Sequence, residues 1–188
     1  MTTPTHPTGL REVREGHDLV AYTRTFSAPI EDVWAAVTEP HRLERWVGTW
    51  DGDPADGWVG FRMTAEAADA PAERMFVDEC DPPRRLAVHS STDYGTWHLE
   101  LDLAEADGRT TLTFAQQIAD AETAGEIGPG WDYYLDRLVA AETGGDVGAV
   151  DFNDYHPADK EYYRGLFTLP EVVIRQNADA DRPESSLP

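Results

Sequence analysis

Asp107-Gly108 restricts this chain more than any other feature of its sequence. A two-residue hairpin turn needs positive φ at both central positions, and Asp-Gly is among the few pairs that supply it. With those residues as the turn, Leu103 faces Leu112, Leu101 faces Phe114, Leu99 faces Gln116 and Trp97 faces Ile118. The opposite surface pairs Asp102 with Thr113, Glu100 with Ala115 and His98 with Gln117. One face is apolar apart from Gln116 and the other is nearly all polar. A slip of one residue would invert both faces, so turn chemistry and alternation together specify the register.

Shorter signals surround this hairpin. Alternation predicts strands over Leu10–Phe26, Trp58–Glu66, Glu73–Cys80 and Leu86–Ser91, with Val59, Phe61, Met63 and Ala65 sharing one face. Ser27-Ala28-Pro29 reads as a helix start with Ser27 as N-cap, and Ile30, Val33, Trp34 and Val37 follow at helical spacing. Pro40 stops that helix, and a second short one is expected from His41 to Trp46. After Gly128-Pro129-Gly130 the residues Trp131, Leu135 and Leu138 form an apolar stripe flanked by Tyr134 and Val139. They predict a helix from Pro129 to Thr143, closed by Gly144-Gly145.

An antiparallel meander with one apolar face needs a cover, and the last helix is the only element large enough to provide it. The expected architecture is α+β, a curved antiparallel sheet of about six or seven strands wrapped around a long C-terminal helix. Two short helices follow the first strand. An apolar chamber between sheet and helix follows if the facing side chains leave it unfilled. The expected organisation is a flexible arm over residues 1–9, one domain over 10–145, an aromatic and acidic extension over 146–177, and a disordered tail over 178–188. Phe152, Tyr155, Tyr162, Tyr163 and Phe167 mark the extension as a segment that docks, on its own domain first of all; across the chamber mouth it would act as a lid, against a second copy it would make a dimer.

Charge removes several functions. The 188 residues hold 15 Lys+Arg against 36 Asp+Glu, a net charge of −21. Non-specific phosphate binding depends on cations that displace counterions, so nucleic acid is not an expected partner. Lys160 is the single lysine, which leaves no basic patch for an anionic membrane. The acidity reads as a solubility device or as the mark of a high-salt or Arg-over-Lys genome. One cysteine, Cys80, fits a reducing compartment. Met1–Gly9 has no hydrophobic signal region, and no apolar run approaches the ~20 residues of a membrane span. A cytoplasmic protein without membrane insertion is expected.

Three further stretches carry a family resemblance. They are Phe26-Ser27-Ala28-Pro29-Ile30-Glu31-Asp32-Val33-Trp34-Ala35-Ala36-Val37-Thr38 followed by Leu43-Glu44-Arg45-Trp46, then Asp81-Pro82-Pro83-Arg84-Arg85-Leu86, and then Gly130-Trp131-Asp132-Tyr133-Tyr134-Leu135-Asp136-Arg137-Leu138. Together, across roughly residues 17–143, these resemble a START-related (SRPBCC) helix-grip domain of the birch-pollen-allergen type. The branch they resemble is that of the activator of heat-shock-chaperone ATPase homologues. The resemblance implies a hydrophobic cavity between sheet and helix, used across the superfamily to bind lipids, sterols or polyketides and in some members to cyclise or hydrolyse them. One fold hosts many functions, so no ligand follows from it.

Candidate site residues are those facing the sheet–helix space: Trp46, Phe61, Met63, Trp97, Leu99, Leu101, Phe114, Gln116, Trp131, Tyr134, Leu135 and Leu138. For each of them ordinary core packing is the competing reading; as a group they match apolar pocket walls with few polar anchors. A buried Gln116 amide needs a partner, which a ligand carbonyl or hydroxyl could supply, or solvent or Tyr94 instead. His98 alternates outward beside Glu100, and the facing of His89 is ambiguous. None of His6, His17, His41, His89, His98 and His156 forms a recognised metal-ligand spacing, so neither metal nor cofactor is expected. Cys80 has no histidine nearby in sequence, and no nucleophile elbow or phosphate loop is present.

The leading expectation is a non-catalytic binding protein, monomer or homodimer, for an apolar or amphipathic small molecule. The alternatives are a cyclase- or hydrolase-like enzyme on aromatic or polyketide-like compounds, with Gln116, His89 and Tyr134 as the only nameable polar groups, or a chaperone-activator-like interaction module.

Overall fold

The computed structural model describes residues 7–92 and 95–168. Tyr94, His6 and the tail over 178–188 lie outside that range. The described residues build one antiparallel sheet of eight strands. These are β1 (Leu10–Arg14), β2 (His17–Phe26), β3 (Thr49–Asp51), β4 (Trp58–Arg62), β5 (Glu73–Asp81), β6 (Arg85–Thr92), β7 (Gly95–Ala106) and β8 (Arg109–Gln117). Their order across the sheet is β1-β2-β8-β7-β6-β5-β4-β3. The helices are α1 (Ile30–Thr38), α2 (Pro40–Leu43), α3 (Ala121–Thr143) and α4 (Lys160–Thr168). This is the expected α+β helix-grip arrangement with a slightly larger sheet.

The β7–β8 register is the one the Asp107-Gly108 turn demands: Leu103 pairs with Leu112, Leu101 with Phe114 and Leu99 with Gln116. Asp107 and Gly108 have φ of 52° and 71°. Beyond Gln116 the chain leaves β7, and the Ile118 amide donates to Asp18 on β2 instead of opposing Trp97.

Several boundaries differ from expectation. Leu10–Phe26 is two strands, because Glu15 and Gly16 take φ of 51° and 84° and fold β1 back on β2. That turn, together with the short β3, accounts for the extra strands. Ser27 does not cap α1. Pro29 holds that position without a side-chain bond, and the Ile30 amide donates to the Glu105 carboxylate at 2.8 Å. The second helix spans Pro40–Leu43 instead of His41–Trp46, and β4 ends at Arg62 instead of Glu66.

The largest difference is α3, which starts at Ala121 with Asp120 accepting from the Thr123 amide at 2.7 Å, and runs through Gly128-Pro129-Gly130. Locally those residues are a break signal; in the fold they admit a close neighbour. A Cβ on Gly128 would stand 2.2 Å from the ring of Tyr163, so glycine there lets α4 pack directly on α3. Gly144 closes the helix in the left-handed conformation expected of a C-cap, with φ of 76°. None of the helices among the described residues is long and apolar enough to cross a membrane.

Candidate functional site

Alternation aims one row of side chains from each strand at α3. From β2 come Val20, Tyr22 and Arg24, from β8 Gln116, Phe114 and Leu112, from β7 Leu99, Leu101 and Leu103, and from β6 Val88 and Leu86. The helix answers with Trp131, Tyr134, Leu135 and Leu138, all buried. Phe114 and Trp131 meet at 4.2 Å between centroids, and Tyr134 lies 5.9 Å beyond Trp131. Gln116, 1% exposed, accepts a hydrogen bond from the Trp131 indole. Its partner is therefore a protein side chain rather than solvent, and the buried amide and indole satisfy each other.

Toward β2 the helix is held by charge. The Arg24 guanidinium lies beneath α3 and donates to Asp136 at 2.9 and 3.2 Å and to Asp132 at 3.1 Å. All three side chains are almost wholly buried. Two carboxylates on one cation leave an excess negative charge, and donors from other segments surround it. The Thr8 amide donates to Asp132 at 3.0 Å, the Tyr163 hydroxyl donates to the same carboxylate, and the Tyr155 hydroxyl donates to Asp136 at 2.9 Å. Tyr163 in turn accepts from the Gly9 amide at 3.0 Å, and Tyr22 donates to the Gly128 carbonyl at 2.8 Å. Burial, reinforced by the facing carboxylates, pushes the Tyr163 and Tyr155 hydroxyls well above their ordinary value. Thr8, Gly9 and the segment after α3 thus converge on one buried cluster, which joins β2 to α3.

Toward β3–β6 the picture changes. Trp50, Phe61, Met63, Met75, Leu86, Val88 and Trp97 pack against the core yet remain only half-buried, as does Ile127 one turn before Trp131 on α3. At the rim Tyr134 donates to Glu66 at 3.0 Å, and burial next to that carboxylate raises the Tyr134 pKa. The inner face of the sheet is therefore closed under β2, β8 and most of β7, and is a half-buried strip with one tyrosine–carboxylate pair at its border from β4 to Trp97 at the start of β7.

This sheet, gripping a terminal helix with two short helices between its second and third strands, agrees with the family model for activator of Hsp90 ATPase homolog 1-like proteins, which matches residues 27–142. The chain belongs to that family. Membership in the SRPBCC superfamily, read from the motifs, is shown with it. The matched span ends with α3, so Tyr155, Tyr163 and α4 lie beyond it. CalU16 from Micromonospora echinospora has the same fold, with a TM-score of 0.66 at 22% identity over 85% of this chain and 95% of that one. EF2215 from Enterococcus faecalis, a conserved protein of unknown function, gives 0.64 at 20% identity over 84% and 91%. DynU16, from the dynemicin biosynthetic locus, gives 0.52 at 24% over 69% of this chain and 49% of that one. At these identities the likeness is one of fold. No curated protein matches the sequence.

Within the family member the candidate residues divide. Leu99, Leu101, Phe114, Gln116, Trp131, Tyr134, Leu135 and Leu138 meet in the buried core between sheet and helix; Phe61, Met63 and Trp97 line the half-buried strip. Trp46 is buried against α1, its indole donating to the Ala36 carbonyl at 3.0 Å. His89 does not join Gln116 and Tyr134, because it pairs laterally with His98 on the opposite face of the sheet. Two hollows are also present. One of about 440 Å³ is lined by Phe26, Asp32, Val33, Arg42 and Glu142, and a smaller one of about 180 Å³ borders Arg14, Arg85 and Glu100. Neither lies between α3 and the β4–β6 strip. Sequence reasoning missed Arg24, Asp132 and Asp136. The one available signal was an arginine at a position of β2 whose alternation points inward.

Proposed function

We propose that the chain binds an apolar or amphipathic small molecule against the inner face of β4–β6 and the start of β7, with Phe61, Met75, Val88, Trp97 and, just past β4, Met63 as the wall. Ile127 and Tyr134 form its helical side. The observation that carries this reading is the contrast in burial along a single sheet face. Under β2 and β8 the apolar row is sealed by α3, while Phe61, Met75, Val88 and Trp97 stay only half-buried around a buried Ser90. Apolar walls with a few polar anchors are the usual mark of a ligand site. The Tyr134–Glu66 pair supplies such an anchor and a hydroxyl that could exchange its partner for a ligand group. Phe114, Trp131 and Gln116 form the floor, already packed on one another, so the ligand lies beside the core. DynU16 comes from a biosynthetic locus, which is consistent with a fold suited to handling a biosynthetic small molecule.

The test is native mass spectrometry after incubation with a mixed lipid and metabolite extract. A retained compound at one per chain is expected, with retention lost in Trp97→Ala and in Met75→Glu. No retained compound, or retention that both variants preserve, overturns the reading.

A further inference from the structure

We propose that Asp78, His89 and His98 form a binding site for a divalent transition-metal ion, with Zn²⁺ as the best match, on the outer face of β5–β7. This site is independent of the ligand strip, which lies on the other side of the sheet.

The register assembles it. Phe76 on β5, His89 on β6 and His98 on β7 stand in one lateral row, since Phe76 pairs with His89 and His89 with His98. The two imidazoles lie 5.5 Å apart at 26°, and the Phe76 ring stacks on His89 at 4.9 Å. The carboxylate arrives through an irregularity. Between Val77 and Glu79 the β5–β6 register slips, leaving Asp78 as the extra residue. A bulge of this kind re-aims a side chain, and here both Asp78 oxygens come to 2.8 Å from His89 Nδ1. One donor atom each from Asp78, His89 and His98 lies within 4.8 Å of the others.

A tetrahedral ion with bonds of about 2.0–2.2 Å holds its donors roughly 3.4 Å apart, within reach of side-chain rotation from this arrangement. Two imidazoles and one carboxylate suit zinc, copper or nickel, whereas magnesium and calcium favour all-oxygen shells. Neighbouring acids have other work. Glu79 pairs with Arg85 at 2.7 Å, and Glu100 with Arg14 at 2.9 Å. His89 and Asp78 remain partly open to solvent, with side-chain exposures of 28% and 46%, so an ion can enter and keep a water as fourth ligand. Bound there, it would bridge three adjacent strands, β5, β6 and β7, on the outer face of the sheet.

The test is calorimetric titration of the chelator-stripped full chain with ZnCl₂, paired with thermal melting. One saturable site per chain and a rise in Tm with added ZnCl₂ are expected, because an ion that binds only the folded state stabilises it. His98→Gln keeps the Asp78–His89 hydrogen bond and should weaken binding by about 10-fold or more, as should Asp78→Asn. His41→Gln, on an exposed histidine far from the cluster, should leave the isotherm unchanged. Melting without metal checks that each variant folds. The proposal is overturned by titration without saturation, by binding that the His89→Gln/His98→Gln double variant retains, or by MgCl₂ competing as well as ZnCl₂.

Discussion

On the β2 side of α3, Arg24, Asp132, Asp136, Tyr155 and Tyr163 pack five polar side chains together, all of them buried. On the β4–β6 side, Phe61, Met75, Val88 and Trp97 are apolar and half-open. Placement by polarity alone would reverse this. The resolution lies in what each group needs. A buried arginine with two aspartates has a steep geometric requirement, since an unmatched charge there is costly. Such a cluster positions the helix on β2 within narrow limits. Greasy contacts tolerate sliding, and the strip on this flank is only half-buried.

The sharpest way to break this contrast is Arg24→Met. It strips the cation from two buried carboxylates and should cost about 3–5 kcal/mol in urea unfolding. An effect under about 1 kcal/mol would mean that the cluster does not hold the helix.

Tyr163→Phe comes next. It keeps the ring on Gly128 but removes the hydroxyl that serves Asp132 and the Gly9 amide, and about 1–3 kcal/mol should be lost. The same residue gives a pH test. Tyr163 and Tyr155 are held above their ordinary value of 10.0 in the fold, so they stay protonated when unfolded tyrosines ionise. The unfolded state then binds fewer protons, and stability present below pH 10 should fall as pH rises through and above it. Equilibrium unfolding between neutral and strongly alkaline pH should show this decline, and a double Tyr155→Phe/Tyr163→Phe variant should make it shallower, with the raised Tyr22 and Tyr134 accounting for the remainder.

Trp97→Ala examines the opposite flank. A half-buried indole contributes less than a sealed one, so a loss of about 1–2 kcal/mol is expected, together with loss of the retained compound. A stability cost matching that of a sealed core position would erase the difference between the two flanks. The smallest effect is expected at the β1–β2 turn. Glu15 sits at φ of 51°, and Glu15→Asn should raise stability by about 0.5 kcal/mol in the same unfolding measurement.

Legibility followed the range of the forces involved. Asp107-Gly108 and the alternation around it lie within a few residues of each other, so the β7–β8 register and the apolar face could be read directly. The α1 stripe of Ile30, Val33 and Val37 was equally local. Glu15-Gly16 escaped because glutamate is an unusual occupant of a left-handed position. Gly128-Pro129-Gly130 misled because its local meaning, a break, yields to a contact with Tyr163 that is distant in sequence. Of the candidate residues, the strand and helix partners Leu101, Phe114, Trp131 and Leu138 could be assigned to one core, but which apolar residues stay half-open could not.

The amino-acid order alone determined that a meander with one greasy face would close on a single long helix, since periodicity and turn chemistry act between neighbours. Only the tertiary structure decided which strands that helix covers. That choice rests on Arg24 meeting Asp132 and Asp136, and the placing of Asp78 beside His89 rests on a register slip between Val77 and Glu79. Both unite groups that the chain keeps far apart, and electrostatic complementarity across such distances leaves no periodic trace in a sequence.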